Sequence, residues 1–335
     1  MAVISLVLPD GNIDANVYCL SSRISPDARE WEKIGYLTNV RKIRSLVAAL
    51  QPDIISVHYA SSYGTMAVFA GLKKFILSVW GSDVYSFPRR GALHCQLLKL
   101  VLRRAGRIFS TSYAMAKETG KYTNKKITVI PFGVDMELFN PRLHERNDNN
   151  FIIGTVKGLS PEYGIDTLLK AIAFVRQVRP DISLQCRIAG SGNGEYMLKE
   201  LANALGINDR VSWLGKKSQD EAAYEWANFD CGIIPSQLES FGVAALEAQA
   251  CGCPLIVSDA EGLLESTLPQ ITSMVIPRGD VQALAKAIIE LYENPAKRET
   301  MGKAGIEFVG KHYDIKYCFH LMEIEMKKYK EEIKL

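Results

Sequence analysis

The chain has 335 residues, of which 47 % are hydrophobic and 23 % are charged, a length and composition typical of a globular protein of two domains. No apolar run reaches the roughly 18 residues that a membrane-spanning helix requires, and the seven Cys lack the paired spacing of a zinc site. The Cys are therefore expected to be reduced residues of a cytoplasmic protein, and residues 1–8 to form a strand rather than a signal peptide.

The formal net charge of +3 is unevenly distributed along the chain. Residues 1–140 carry 18 Lys and Arg against 10 Asp and Glu, whereas residues 141–335 carry 22 against 27. The basic first part is compatible with a solvated face, and equally with a surface that meets anionic phospholipid or a pyrophosphate-linked acceptor. Its basic residues are not interleaved with aromatic ones, so a nucleic-acid partner is not expected.

Strand-like and helix-like patterns alternate through the first part of the chain, which is typical of a parallel α/β sheet. Strands are predicted at 53–57, 75–79, 107–110 and 127–130, and helices at 61–71, 92–104 and 111–120. Thr111 is the predicted N-cap of the last of these helices. Residues 131–150 then lose the periodicity and have the composition of a linker.

A second alternating unit begins at Phe151. Its predicted strands are 151–156, 182–189, 210–214, 231–234 and 254–257, and its predicted helices are 166–177, 194–205, 219–228, 241–251 and 280–293. The predicted domains are therefore 1–140 and 141–312, followed by an amphipathic tail helix at 313–335. In doubly wound sheets of this kind, ligands bind beyond the carboxyl ends of the strands.

The most informative segment runs from Pro235 to Glu247 and joins a predicted strand to a predicted helix. It places Glu239 in the loop and Glu247 inside the helix, with Ser240 as the predicted N-cap. The unpaired N–H groups at such a helix start favour an anion, and the two carboxylates can accept hydrogen bonds from sugar hydroxyl groups. Compensation of the helix dipole would explain one of these carboxylates equally well, so the neighbouring motifs must decide.

Further candidate residues follow the other strands of the second unit. Lys157 follows the strand 151–156, where a cation can neutralise a diphosphate. Gly190 and Gly192 form a turn after the next strand, but the third Gly of this turn does not fit the spacing of a dinucleotide-binding unit. Lys216 comes after the strand 210–214, where an ordinary exposed Lys and a contact with a base or ribose are both possible.

These motifs, in this order and over about residues 50–320, closely resemble the Glu-x7-Glu signature and the accompanying loops of the retaining glycosyltransferases of family 4, the glycosyl transferases group 1. Members of this kind are found in bacterial surface-polysaccharide synthesis. The resemblance implies the α/β GT-B fold, in which two Rossmann-like, doubly wound domains face a cleft. It also implies an acceptor-side first domain, a nucleotide-sugar-binding second domain and a tail helix that crosses back to the first.

The resemblance also implies roles for individual residues. Glu239 contacts the donor sugar and acts with Lys157 at the reacting centre, where Lys157 neutralises the leaving diphosphate, and Glu247 holds the ribose. The other implied donor-binding residues lie in the glycine turn, after the strand 210–214 and at the start of the motif helix: Gly190, Gly192, Lys216, Ser240, Phe241, Gly242 and Val243.

The chain departs from the family pattern in three places. Glu162 stands where the phosphate-binding loop normally supplies a second cation. Trp80 stands where many members have a His, so Ser82 or Asp83 is expected to replace that His, and His58 to line the acceptor side. The chain is also expected to begin one βα unit later than the family, so that either the true start lies upstream or residues 1–50 fold differently. A missing unit would expose a sheet edge, which predicts either a partner subunit that covers it or reduced activity.

The sequence thus predicts a cytoplasmic, metal-independent, retaining glycosyltransferase without a cofactor, acting at the inner face of the plasma membrane. It would move a sugar from a nucleoside-diphosphate sugar, with UDP-sugar favoured over GDP-sugar, to a saccharide or lipid-linked saccharide in polysaccharide, lipopolysaccharide or capsule synthesis. The alternatives are a GT-B sugar-nucleotide epimerase, which needs no acceptor, and a noncatalytic partner subunit that keeps the donor fold. A GT-B phosphorylase would need a pyridoxal-phosphate lysine and usually a much longer chain.

Overall fold

The computed structural model describes residues 2–5, 16–20, 38–145 and 150–334, and the contacts among its residues divide the chain into two compact units. The first unit comprises the described residues up to Thr111, then Met115–Ile130, and the described residues from Glu323 onward. The second unit comprises Ser112–Ala114 and the described residues of Pro131–Met322.

The first unit is built on parallel strands with helices between them. Its described elements are strands β1 (Ala2–Ser5), β2 (Asn16–Cys19), β3 (Ser56–His58), β4 (Ile76–Ser78), β5 (Arg107–Ser110) and β6 (Ile127–Val129), and helices α1 (Val40–Leu50), α2 (Tyr63–Phe69), α3 (Ser82–Tyr85), α4 (Ala92–Arg104) and, from Met115 onward, α5 (Tyr113–Gly120). Within the described residues, β3, β4, β5 and β6 form one parallel sheet in that order, and β1 pairs with β2. Leu98 and Val101 of α4 pack with Leu77 and Ile108 of the sheet in a buried core.

The second unit contains a larger parallel sheet. Its described elements are strands β7 (Phe151–Val156), β8 (Leu184–Ala189), β9 (Val211–Gly215), β10 (Cys231–Ile234), β11 (Leu255–Ser258) and β12 (Ser273–Ile276), and helices α6 (Ile165–Val178), α7 (Glu195–Ala204), α8 (Gln219–Ala227), α9 (Val243–Ala250), α10 (Glu261–Ser266), α11 (Val281–Glu293), α12 (Pro295–His312) and the start of α13 (Ile315–Lys334). In the described part of this unit, the strand order is β12-β11-β10-β7-β8-β9. Helices cover both faces of the sheet, because Ile233 packs with Leu168 and Leu284 whereas its neighbour Ile234 packs with Trp226 and Leu246.

The N-terminal region and the boundary between the units differ in how far the structure describes them. The expected lack of a first βα unit concerns a region in which residues 6–15 and 21–37 lie outside the described residues. Residues 131–140 pack with the second unit, because Val134 and Phe139 are buried in one of its cores, although the sequence analysis ended the first domain at residue 140. The long helix α13 begins in the second unit and continues into the first at Glu323.

The predicted N-cap at Thr111 is wrong. Helix α5 begins at Tyr113, and the buried Thr111 hydroxyl has no hydrogen-bond partner within the described residues. The Glu265 carboxylate caps the helix instead, because it accepts hydrogen bonds from the N–H groups of Tyr113, at 2.7 Å, and of Ala114. A carboxylate at this end also compensates the helix dipole.

Candidate active site

The candidate site lies where the chain changes its direction of winding across the second sheet. From β7 the chain continues to β8 and β9 on one side, and then returns to β10 on the other side of β7. The loops that leave the carboxyl ends of β7 and β10 therefore diverge, and crevices of this kind bind ligands in doubly wound sheets. Lys157 directly follows β7, and Glu239 lies in the loop after β10, so both belong to this crevice.

Lys157 and Glu239 form an ion pair in this crevice. The Lys157 Nζ lies 2.6 Å from the Glu239 Oε2, and the two side chains are only 12 % and 10 % exposed. The Ser236 hydroxyl donates a hydrogen bond to the same carboxylate oxygen at 3.3 Å. The Lys157 ammonium also lies 4.7 Å from the centroid of the Tyr163 ring. Because little water reaches the pair, its attraction is screened less than that of a surface ion pair.

Glu247 is the second carboxylate of the site and lies on α9, the helix that follows the Glu239 loop. Burial raises the pKa of Glu247 above the ordinary value of 4.5, while the positive charge of Lys157 acts in the opposite direction. Lys157 thus interacts with both members of the Glu-x7-Glu pair. The structure brings together one cation and two carboxylates that are eight positions apart in the sequence.

The start of the motif helix differs from the prediction. Helix α9 begins at Val243, not at 241, and Gly242 occupies its N-cap with a left-handed φ of 100°. Ser240 is therefore not the N-cap, and no side chain caps this helix. A Cβ atom at Gly242 would lie 2.5 Å from the Ser266 hydroxyl oxygen, so both backbone conformation and packing require glycine here. The N–H groups at the start of α9 keep the orientation that favours an anion.

Backbone contacts on two sides position the loop that carries Glu239. The Gly262 N–H in α10 donates to the Glu239 carbonyl at 3.2 Å, and a Cβ atom at Gly262 would come within 2.5 Å of that oxygen. On the other side, the Glu162 carbonyl accepts a hydrogen bond from the Gln237 N–H at 2.8 Å. Glu162, which replaces the second cation of the family, therefore supports the Glu239 loop through its backbone while the residue itself is exposed.

The glycine turn after β8 packs against the backbone that follows Lys157. The Lys157 N–H donates to the Ala189 carbonyl at 2.9 Å. A Cβ atom at Gly190 would lie 1.8 Å from the Lys157 carbonyl oxygen, and one at Gly192 would lie 2.5 Å from the Leu159 carbonyl oxygen. Glycine is therefore required here because two loops approach closely. A contact of either glycine with a donor stays a prediction.

The remaining predicted donor-binding residues, Phe241, Ser240 and Lys216, differ in exposure and in hydrogen bonding. Phe241 is buried, with its ring centroid 5.8 Å from that of Tyr313, so only its backbone can reach a ligand. The Ser240 carbonyl accepts a hydrogen bond from the Ser112 hydroxyl. Lys216 is exposed and directly follows β9. Direct contacts of these residues with a nucleotide remain predictions.

The predicted acceptor-side residues lie at the carboxyl ends of β3 and β4 in the first unit. His58 and Ser82 are exposed, whereas Asp83 is completely buried. The Asp83 carboxylate accepts hydrogen bonds from three backbone N–H groups, those of Ala60 (2.8 Å), Trp80 (3.1 Å) and Gly81 (2.9 Å). Burial raises the pKa of Asp83, and these hydrogen bonds oppose that effect. Asp83 therefore positions the two loops, and the predicted role in acceptor contact falls to His58 and Ser82.

Sequence reasoning missed several residues that support the site. Tyr163 and Ser236 contact Lys157 and Glu239 through space, and no local pattern distinguishes them from ordinary loop residues. Gly262 is detectable in principle, because a glycine inside a short predicted helix indicates a close approach of backbone. The role of Glu265 as a helix cap depends on a partner far away in the sequence, Tyr113.

Two further findings concern ligands and membranes. Among residues 2–5, 16–20, 38–145 and 150–334, no group of three or more His, Cys, Asp or Glu side chains is arranged to hold a metal ion. In the same stretches, no helix combines the length and the apolar composition that crossing a membrane requires.

The two parallel α/β units define the GT-B fold. Sucrose-phosphate synthase from Thermosynechococcus elongatus superposes with a TM-score of 0.83 at 22 % sequence identity, over 94 % of this chain and 83 % of that chain. HepE from Anabaena, in a complex with UDP, superposes with a TM-score of 0.73 at 19 % identity, over 93 % of this chain and 86 % of that chain. The fold class predicted from the sequence is confirmed.

Sequence comparison identifies the family. The glycosyl transferases group 1 model matches residues 138–308, and the glycosyl transferase 4-like model matches residues 1–112. The chain belongs to the glycosyl transferases group 1. The D-inositol 3-phosphate glycosyltransferase of Pseudarthrobacter chlorophenolicus is 36 % identical over 251 residues, which cover 72 % of this chain and 59 % of that relative.

Proposed function

We propose that the protein is a retaining glycosyltransferase that uses a nucleoside-diphosphate sugar and binds it at the carboxyl ends of β7 and β10. The observation that carries the proposal is the ion pair of Lys157 and Glu239 beside the largely buried Glu247. Lys157 and the N–H groups of Gly242 and Val243 bind the diphosphate. Glu247 holds the ribose, and Glu239 orients the donor sugar.

The proposed reaction exchanges one bond at the anomeric carbon for another on the same face of the sugar. The bond to the diphosphate oxygen breaks while the bond to the acceptor hydroxyl forms. Lys157 stabilises the negative charge of the leaving diphosphate, and Glu239 stabilises the positive charge that develops near the anomeric carbon. The leaving phosphate takes the proton of the acceptor hydroxyl. Because Lys157 supplies the neutralising charge, we propose a metal-independent reaction that needs no cofactor.

The proposed acceptor is a saccharide or lipid-linked saccharide in polysaccharide, lipopolysaccharide or capsule synthesis. The name of the Pseudarthrobacter relative specifies D-inositol 3-phosphate, so an inositol phosphate is the second candidate acceptor. Incubating the protein with a nucleotide sugar and each acceptor class, followed by mass spectrometry, distinguishes them. Proton NMR of the product reports whether the anomeric configuration is retained, and added EDTA tests metal independence.

The donor site is tested by calorimetric titration with UDP and with GDP, beside the Glu247→Ala variant. We expect saturable binding of UDP, which we favour over GDP, and weaker binding by the variant. Absence of binding by both nucleotides would contradict the proposal. A sugar nucleotide that changes its configuration without an acceptor would instead indicate an epimerase. Binding without transfer or hydrolysis would indicate a noncatalytic subunit that works with a partner.

We also propose cytoplasmic action at the inner face of the plasma membrane, through contact of the first unit with anionic lipid. Arg90 and Lys99 are exposed beside or within α4, and Leu93 in the same helix is 79 % exposed. Basic residues next to an exposed apolar side chain favour an anionic bilayer surface. We expect cosedimentation with phosphatidylglycerol vesicles at low salt and its loss at high salt, whereas salt-independent absence of binding would contradict membrane contact.

A further inference from the structure

Three loops meet at neighbouring strand ends of the second sheet. Strand β11 lies between β10 and β12, and the last residues of β11 and β12 are paired with each other. Asp259 therefore leaves β11 close to the point where Arg278 follows β12. Gln237 lies between the end of β10, on the other side of β11, and Glu239. The topology thus brings the first part of the Glu239 loop close to the loops after β11 and β12.

The Arg278 side chain connects these three loops. Its backbone N–H and its Nε each donate a hydrogen bond to the Asp259 Oδ1, both at 3.0 Å. Its Nη1 donates to the Gln237 carbonyl at 3.4 Å and lies 3.5 Å from the Glu261 Oε2. A guanidinium group carries a planar fork of donors, so one side chain can bind a carboxylate on one loop and a carbonyl on another. Arg278 thus ties the Glu239 loop to the ends of β11 and β12.

The segment that carries Arg278 is itself held at both ends. Before it, the Asp259 N–H donates to the Ile276 carbonyl at 2.9 Å. After it, the Asp280 carboxylate caps α11 by accepting a hydrogen bond from the Ala283 N–H at 2.8 Å. The Arg278 side chain therefore reaches the Glu239 loop from a backbone that is fixed by the sheet and by a helix start.

Gln237 is also held from the side of β7, by neutral groups. Its N–H donates to the Glu162 carbonyl at 2.8 Å. Its amide Nε2 would lie 3.5 Å from a Cβ atom at Gly164 and 3.6 Å from one at Gly279, so the side chain packs close to both glycines. The first part of the Glu239 loop is therefore gripped from two directions, and Arg278 supplies a charged contact on the β11 side.

We propose that Arg278 is a positioning residue for Glu239. Its guanidinium group holds the Gln237 carbonyl, two residues before the carboxylate that we propose to orient the donor sugar. A displacement of about 1 Å at a reacting centre is enough to lower the rate of a reaction substantially. The inference rests on the proposed function, since it concerns the geometry of the same donor site.

The contacts of Arg278 should matter for the position of the loop more than for global stability. The side chain of Arg278 is 35 % exposed, and those of its partners Asp259 and Glu261 are 46 % and 65 % exposed. Water screens ion pairs of this kind, and they contribute little to the free energy of unfolding. We therefore expect Arg278→Ala to fold with a melting temperature close to that of wild type, so that its loop and its ligand binding can be measured.

Hydrogen exchange of the whole protein, followed by mass spectrometry, tests whether Arg278 holds the loop. We expect Arg278→Ala to speed the amide exchange of peptides from the segment 235–242 about threefold to tenfold, because a hydrogen bond from a charged donor is lost. Arg179→Ala is the matched control, since Arg179 also bridges two exposed carboxylates of the second unit and its side chain is 31 % exposed. The control should leave this segment unchanged, and unchanged exchange in Arg278→Ala would overturn the inference.

Calorimetry with UDP-glucose and with UDP tests whether Arg278 acts through Glu239. The ratio of the two affinities isolates the contacts with the sugar, whereas a purely structural defect would weaken both ligands alike. We expect Arg278→Ala to lower this ratio about threefold to tenfold in the wild-type background and to leave it unchanged in the Glu239→Gln background. An equal loss in both backgrounds would show that Arg278 acts independently of Glu239, which would overturn the inference.

This inference and the proposed function fail in different ways. Wild-type protein that binds neither UDP nor UDP-glucose would overturn the proposed function, whereas the exchange of the loop amides would still report whether Arg278 holds the loop. Nucleotide binding by wild type, with the same ratio of affinities in Arg278→Ala, would overturn only the positioning role of Arg278.

Discussion

At the scale of single residues, Lys157 has a counter-ion within the chain itself, because the Glu239 carboxylate lies 2.6 Å from its ammonium group. In the proposed donor site, a diphosphate must therefore compete with Glu239 for the same cation. We expect Glu239→Gln to bind UDP about threefold to tenfold more tightly than wild type, since about 0.7–1.4 kcal/mol of competing attraction is removed. Sugar transfer by the variant should fall, because the carboxylate that we propose to orient the sugar is lost.

Calorimetry with UDP and a transfer assay measure these opposite effects. Glu299→Gln is the matched control, because it breaks an exposed Lys–Glu pair on α12, with Lys303 as the partner. This variant should change neither quantity, since exposed pairs contribute little. Equal or weaker nucleotide binding by Glu239→Gln would show that the pair does not compete with the diphosphate.

Glu247 makes stability depend on pH in a direction opposite to that of most carboxylates. Burial raises the pKa of Glu247 in the folded protein above the ordinary 4.5. At pH values between 4.5 and this raised pKa, the folded protein therefore binds more protons than the unfolded chain. The free energy of unfolding therefore falls as pH rises through this window. We expect Glu247→Gln to be more stable than wild type at pH 7, with the difference shrinking as pH is lowered toward 4.5. Thermal unfolding at several pH values measures this, and a variant less stable at pH 7 would contradict it.

The sequence predicted correctly the position of those candidate residues that are located by a strand or a spacing next to them in the chain. Lys157 and Glu239 each follow a recognisable buried strand, and Glu247 follows from its spacing within the motif. Ser240 was predicted wrongly as a helix cap, because the left-handed Gly242 packs on Ser266 and delays the helix start. Sequence spacing does not reveal such contacts between distant segments.

At the scale of elements, helix α10 lies directly against the backbone of the Glu239 loop. A Cβ atom at Gly262 would come within 2.5 Å of both the Glu239 carbonyl oxygen and the Phe241 nitrogen, which are backbone atoms with little room to move. We expect Gly262→Ala to weaken UDP binding and to lower the free energy of unfolding by about 1–3 kcal/mol.

Gly120→Ala is the control for this substitution, because nothing lies within 4 Å of a Cβ atom at this position in α5. A helical Gly→Ala change without a clash is neutral or slightly stabilising. Calorimetry with UDP and denaturant unfolding compare the two variants. Wild-type nucleotide affinity in Gly262→Ala would mean that the Glu239 loop tolerates displacement.

Among the helices and strands, those with a recognisable apolar pattern were predicted from the sequence and others were not. Helix α4 and strands β5 and β10 have the predicted ends, because their apolar residues fall at buried positions. The long helix α12 was not predicted, because two of the four residues that it buries are the poor helix formers Gly302 and Gly305, which lie beside Met301 and Val309. A Cβ atom at Gly302 would lie 2.2 Å from the Gly252 carbonyl oxygen, so glycine, a poor helix former, is what lets this helix approach.

At the scale of the whole molecule, alternating strands and helices sufficed to predict two parallel α/β units, and the GT-B fold confirms them. The contributions of distant segments to each unit were harder to foresee. The tripeptide Ser112–Ala114 joins the second unit through hydrogen bonds to Ser240 and Glu265. These contacts join segments more than a hundred residues apart, which no local pattern encodes.

The last part of α13 is as much a part of the first unit as the strands are. Tyr329 is 4 % exposed, donates a hydrogen bond to the Lys74 carbonyl at 2.6 Å and leaves no room for a side chain at Gly106. Arg107 forms an ion pair with Glu325 of the same helix at 3.2 Å. Removal of the Tyr329 side chain should therefore destabilise the first unit, although the residues that it contacts lie more than two hundred positions earlier in the chain.

We expect Tyr329→Ala to lower the free energy of unfolding of the first unit by about 3–5 kcal/mol, since it leaves a cavity and an unpaired carbonyl. Tyr329→Phe, which removes only the hydrogen bond, should cost about 1 kcal/mol. Phe319→Ala is the control on the same helix, because its side chain is exposed and packs little. Differential scanning calorimetry resolves the effect if the two units melt separately, with only one transition shifted by Tyr329→Ala. Equal melting of the alanine variant and wild type would show that the Tyr329 contact does not stabilise the first unit.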